Sequence, residues 1–180
     1  MAEQQSAFYK AFKKELLEPL KNYLLKNNET IAVAESVTSG LLQLAFGTIK
    51  DASCFYQGGI TAYNLGQKCR HLLVEPVHAA ACDCISQNVA NEMAMHVCTL
   101  FRSNWGLSIT GYAAPVEKTN EVFAYCSIAY NKSIVFAEKI VPQHTEPSEI
   151  QLEYAHKLLQ HLGYCMHNIK NVKAPSIKNS

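Results

Sequence analysis

The chain lacks any apolar run long enough to span a membrane, and residues 1–14 lack the apolar core of a secretion signal. Those absences make the cytoplasm the expected location. A dominant charge is missing too. Lys and Arg number 16 against 15 Asp and Glu, a formal net charge of +1, which gives no electrostatic case for nucleic acid or an anionic membrane as partner. Charged residues make up 17% and hydrophobic residues 48%, a balance that favours a packed core over disorder. The seven cysteines are odd in number and include no C-x-x-C pair, so reduced thiols packed as small hydrophobes are expected rather than a disulfide framework. His78, Cys82 and Cys84 lie close in sequence, but Cys82-Asp83-Cys84 departs from the usual zinc spacing. Neither a metal site nor a cofactor is expected.

What is present fits one domain over residues 1–163 of the 180, with 164–180 as a polar, basic and loose tail. Phe8, Phe12, Leu16, Leu20 and Leu24 recur every four residues and predict an amphipathic helix, with a kink or restart at Pro19. Ile31-Ala32-Val33-Ala34 reads as a buried strand. It feeds a helix over about 38–46 through a small, hydroxyl-rich turn, Glu35-Ser36-Val37-Thr38-Ser39-Gly40. Such a turn offers backbone N–H groups at a positive helix end, a natural seat for a phosphate or carboxylate, or simply a capped helix start. A strand over 58–63, a short helix capped by Asn64, and a longer helix capped by Ser86 follow. Then come a strand over 107–110, a hairpin around Asn131-Lys132, and a last helix starting at Pro147 and stopping at Gly163. Strands alternating with helices, with a hairpin late, predict an α/β fold with a mixed, mostly parallel sheet covered on both faces. In such sheets ligands gather beyond the carboxyl ends of the strands, here the loops 35–40, 63–68 and 110–115.

These loops are rich in Ser, Thr, Tyr and Lys and poor in carboxylate and histidine, so a Ser-His-Asp triad has no evident members. A Ser/Lys arrangement does. Ser53 precedes the strand that ends at Tyr63, and Lys68 follows one turn into the next helix. A lysine shielded from water loses proton affinity and can deprotonate a serine, with Tyr63 orienting it or relaying a proton. Lys68 is as well explained by a solvated helix face, and Thr110 by an ordinary strand end.

Four ordered blocks over roughly residues 5–162 resemble the C-terminal domain of the CinA (competence/damage-inducible) family, the nicotinamide mononucleotide deamidases. The family's A-E-S-C-T-G-G is matched by Ala34-Glu35-Ser36-Val37-Thr38-Ser39-Gly40. Its G-S-S-x-W-F-x-G-G-x-x-x-Y-S-N-x-x-K is similar to residues 51–68, including Ser53, Gly58, Gly59, Tyr63 and Lys68. V-S-x-x-V-A-x-x-M-A corresponds to 85–94, and T-G-I-A-G-P to Thr110-Gly111-Tyr112-Ala113-Ala114-Pro115. The resemblance implies a three-layer α/β/α sandwich and hydrolysis of nicotinamide mononucleotide to nicotinate mononucleotide and ammonia, without metal. It implies Ser53 as nucleophile, Lys68 as base and later acid, and Tyr63 and Thr110 as site-shaping hydroxyls. Ser36, Thr38, Ser39, Gly40, Thr110, Gly111 and His144 become the expected substrate-binding group.

The departures are specific. Ser39 replaces a family glycine, and the glycine-rich stretch after the fourth block is cut to residues 116–120. The family's G-D-R, whose arginine is thought to contact substrate, aligns with Pro142-Gln143-His144. His144 offers at most two donors, so a bidentate phosphate clamp is lost. The leading expectation is an amidohydrolase acting on a pyridine nucleotide, with no nucleic-acid or membrane partner and room for a homo-oligomer. The alternative is a non-catalytic relative serving as a nucleotide-binding or protein-interaction module.

Overall fold

A computed structural model describes residues 12–116 and 120–172. Helix α1 (Lys14–Asn27) buries Leu17, Leu20 and Leu24 on one face and ends where Asn28 turns left-handed at φ 52°. Pro19 causes no restart. It sits inside the helix, where burial of the leucine stripe outweighs one missing backbone bond. The first of the five leading apolar positions, Phe8, lies outside the described residues.

Strand β1 (Ile31–Glu35) is buried along its whole length. Helix α2 (Leu41–Gly47), the 3-10 turn Ala52–Cys54, β2 (Tyr56–Thr61), α3 (Leu65–Leu72) and α4 (Pro76–Ala81) follow. Then come α5 (Gln87–Phe101), β3 (Trp105–Gly111), β4 (Ala124–Tyr130), β5 (Ser133–Ile140) and α6 (Pro147–Val172). The sheet order is β2-β1-β3-β4-β5. Strands β1, β2 and β3 are parallel, β4 runs against β3, and β5 runs against β4. Four of the five strands therefore share one direction, as the sequence pattern implies.

Alternation along β1 divides the core. Ile31 and Val33 pack with Leu20, Phe46, Tyr154 and Leu158 on the α1/α2/α6 side. Ala32 and Ala34 pack with Leu72, Val89, Met93 and Val97 on the α3/α5 side. The small side chains of β1 leave room for α5, and Gly106 on β3 brings it closer still. A Cβ there would lie 2.2 Å from the Ala94 carbonyl oxygen. These are the two helical layers of an α/β/α sandwich.

Two expectations need correction. Gly163 does not end the last helix, which runs on to Val172, so residues 164–172 belong to the fold rather than to a loose tail. The apolar stripe Ile150, Tyr154, Leu158, Leu162, Cys165 and Met166 stays buried past the glycine, and that burial exceeds the roughly 1 kcal/mol a helical glycine costs. Pro76 also does more than punctuate. It occupies the first turn of α4, whose amides at Val77 and His78 are capped by the Glu75 carboxylate.

Candidate active site

The three carboxyl ends of the parallel strands open onto one cavity of about 530 Å³. Ser36 and Val37 reach it after β1, Tyr63 to Lys68 after β2, and Thr110 to Val116 after β3. The turn Asp83–Cys84 and the first residues of α6, Pro147 and Gln151, close its sides.

Lys68 lines the cavity from α3. Asn64 caps α3 by accepting from the Gln67 N–H, which starts the helix so that Lys68 falls on its inner side. Lys68 is only 2% exposed. Its Nζ lies 2.9 Å from Ser36 Oγ, a fully buried contact. Burial pushes the Lys68 ammonium below its ordinary value, against opposing pulls from Cys84 and Asp83. That favours the neutral amine, the form able to take a proton from a hydroxyl. Cys84 lies in the same wall, its thiol pushed up by burial and drawn back by Lys68.

The lysine's partner is thus Ser36, and the pairing of Lys68 with Ser53 is corrected. Ser53 sits exposed on the 3-10 turn before β2, whereas Lys68 follows the other end of that strand. A six-residue strand does not fold back on itself; it separates its two flanks by about 20 Å. Ser53 lines no part of the cavity. Within one chain, Ser53 and Lys68 face opposite ends of the sheet.

The turn carrying Ser36 is wound around a carboxylate, but one supplied by the chain. Glu35, the last residue of β1, is fully buried. Its Oε2 accepts from the Thr38 hydroxyl at 2.6 Å and from the N–H groups of Gly40 and Leu42, each at 3.1 Å. Its Oε1 accepts from the Gln43 N–H at 2.9 Å. Ser39 and Gly40 both adopt left-handed backbone, with φ 50° and 103°, to bring these donors inward. Thr38, Ser39 and Gly40 turn their donors to Glu35 or away from the cavity: none of them lines it, and Ser39 is exposed. The anion-binding end of α2 is already filled. Among the described residues, the N–H of Val37, beside Ser36 in the cavity wall, has no protein acceptor.

Thr110 is buried and lines the cavity with Gly111, and its hydroxyl donates 3.0 Å to the Cys84 carbonyl. It joins the end of β3 to the Asp83–Cys84 turn, where both residues have positive φ, 54° and 61°. The Tyr112 hydroxyl donates 3.0 Å to Asp83 and reinforces that link. Tyr63 stands at the cavity mouth, 69% exposed, with no bond to Lys68. His144 lies outside the cavity wall: its Nδ1 is 2.7 Å from Glu153 Oε2, and its backbone N–H donates to the same oxygen. The histidine that replaces the family's arginine is thus bound to the protein's own carboxylate.

The sequence pattern missed Glu35, Asp83, Tyr112 and Gln151. Gln151 donates 2.8 Å from Nε2 to the Val37 carbonyl, tying α6 to the serine turn across 114 positions. Only Glu35 left a local signal, a carboxylate at a strand end a few residues before a helix start.

The model of the CinA C-terminal domain matches residues 13–166, and the chain belongs to that family. A CinA-like protein of the cyanobacterium Nostoc is 36% identical over 108 residues, covering 60% of this chain and 26% of the relative. The chain spans about a quarter of the length of such relatives. Protein MG115 of Mycoplasma genitalium is 32% identical over 146 residues, covering 79% of this chain and 92% of that protein. Among solved structures, a CinA superfamily protein from Klebsiella pneumoniae superimposes with a TM-score of 0.80 at 20% identity, covering 86% of this chain and 97% of that one. A competence/damage-inducible protein from Agrobacterium tumefaciens gives 0.79 at 21% identity, over 84% and 93%. These likenesses establish the family and the α/β/α fold.

Proposed function

We propose that this chain is an amidohydrolase in which Ser36 is the nucleophile and Lys68 the general base. Nicotinamide mononucleotide is the substrate to which the family resemblance points. The observation that carries the reading is the buried 2.9 Å contact between Lys68 Nζ and Ser36 Oγ at the cavity wall. A neutral Lys68 accepts the Ser36 proton as Oγ bonds to the carboxamide carbon, whose oxygen takes the developing charge. The Val37 N–H, next in chain to the nucleophile and without a protein acceptor among the described residues, would serve as donor to that oxygen. The Lys68 ammonium returns the proton to the leaving nitrogen, which departs as ammonia, leaving Ser36 acylated. Water, deprotonated by Lys68, then cleaves the ester to the carboxylic acid and restores the serine. The sum is amide plus water to acid plus ammonia.

A second reading has one specific support. His144 is held by Glu153, and no arginine lines the cavity among the described residues, so a nucleotide phosphate finds no bidentate clamp. That pattern suits a module that binds without turnover. Purified protein incubated with nicotinamide mononucleotide, with ammonia release followed, separates the two. Release by the parent that Lys68→Ala abolishes supports hydrolysis, while calorimetric binding without ammonia supports the binding module.

A further inference from the structure

We infer that Glu35 is the positioning residue of the nucleophile turn, an internal anion around which the backbone from Ser36 to Gln43 is wound so that Ser36 Oγ meets Lys68. The inference rests on the Ser36–Lys68 reading of the site and adds the element that makes the pair rigid. A buried carboxylate with no ion-pair partner is costly unless its oxygens are fully bonded. Here four donors converge on it, one hydroxyl and three backbone amides, spanning positions 38 to 43. Three of those donors are the amides at the start of α2, whose own bonds are satisfied in this way. Glu35 therefore fixes the serine turn.

Glu35 itself is absent from the cavity wall, so it acts through Ser36 and not on substrate. The neighbouring bonds agree: the Ser36 N–H donates to the Ile109 carbonyl, and its own carbonyl accepts from Ser39. Ser36 is pinned to β3 on one side and to the Glu35 loop on the other. Replacing the carboxylate with an amide keeps its shape but presents an NH2 group to amide donors, which must move apart.

The test compares Glu35→Gln, Thr38→Val and the control Leu20→Ala, which weakens the α1 packing without touching the site. Each is checked for folding by circular dichroism, assayed for ammonia release, and titrated by NMR at the Lys68 13Cε. Glu35→Gln is expected to lower kcat about ten- to a hundredfold with KM within about threefold, because misplacement of the nucleophile costs rate and not binding. Thr38→Val, missing one of the four bonds, moves the same way by a smaller factor. Both are expected to shift the Lys68 titration as its serine partner drifts, and Leu20→Ala is expected to leave kcat and titration at parent values. An unchanged kcat and Lys68 titration in a folded Glu35→Gln or Thr38→Val overturns the inference, as does an effect on KM alone. If the parent shows no turnover, hydrolysis fails by itself, and the Lys68 titrations still decide whether Glu35 sets the pair.

Discussion

Lys68 and Ser36 sit 32 positions apart and meet because α3 starts where Asn64 caps it and β1 ends where Glu35 turns inward. Burial holds the Lys68 amine below its ordinary protonation range, so the rate is expected to rise with pH through that lowered value and then level. A pH–rate profile checks this; Lys68→Arg, which cannot lose its proton, should be inactive at every pH. Ser39 bears a different consequence. Its φ of 50° is left-handed, and it lies away from the cavity, so Ser39→Gly is expected to stabilise the fold by about 0.5–1 kcal/mol with turnover unchanged. Chemical denaturation measures that gain. The sequence exposed the residue types at this scale, hydroxyls and a lysine on loops beyond strand ends. It paired Lys68 with Ser53 because serines flank β1 and β2 alike, and only the strand direction shows which of them meets the lysine.

The elements were legible where apolar periodicity was strong: β1, α5 with its Ser86 cap, and the β4–β5 hairpin all fall near their expected places. The length of α6 was not, since a local helix-stop residue was overruled by burial against α1, a contact from the other end of the chain. Element packing makes two predictions. Gly106→Ala would drive a methyl into the Ala94 carbonyl and Cys98, so it is expected to cost about 1–3 kcal/mol, read as a lowered thermal midpoint. The β5–α6 connection is held by Glu153. Burial raises its affinity for a proton, but Lys157, His144 and the N–H groups of Gln143 and His144 outweigh this and hold it at about 2. A carboxyl depressed from 4.5 contributes stability that is present above pH 4.5 and drains away as pH falls toward 2. Glu153→Gln should flatten that acid limb and lower neutral-pH stability by about 1 kcal/mol, seen in melts across pH.

At the scale of the whole molecule, the fold follows from its five buried β1 positions and the small residues that let helices close on both faces. The site does not follow from such patterns, because it is assembled at once from the ends of β1, β2 and β3, from α3, from the Asp83–Cys84 turn and from α6, through contacts such as Gln151 to Val37 that no spacing rule encodes. The buried lysine also sets a global trade-off. With its folded pKa below the unfolded 10.5, the folded state binds fewer protons; stability is lowered below the folded pKa and recovers as pH rises toward 10.5. Lys68→Met is therefore expected to raise the neutral-pH midpoint by about 2–4 °C while removing activity, and calorimetric melts beside the assay would show both. The central claim is the pairing of Lys68 with Ser36 rather than Ser53. Ammonia release by Ser36→Ala and Ser53→Ala, measured side by side on folded proteins, tests it most directly. Ser36→Ala is expected to release no ammonia and Ser53→Ala to release it at a near-parental rate; the reverse outcome would show that Ser53 and not Ser36 is the nucleophile.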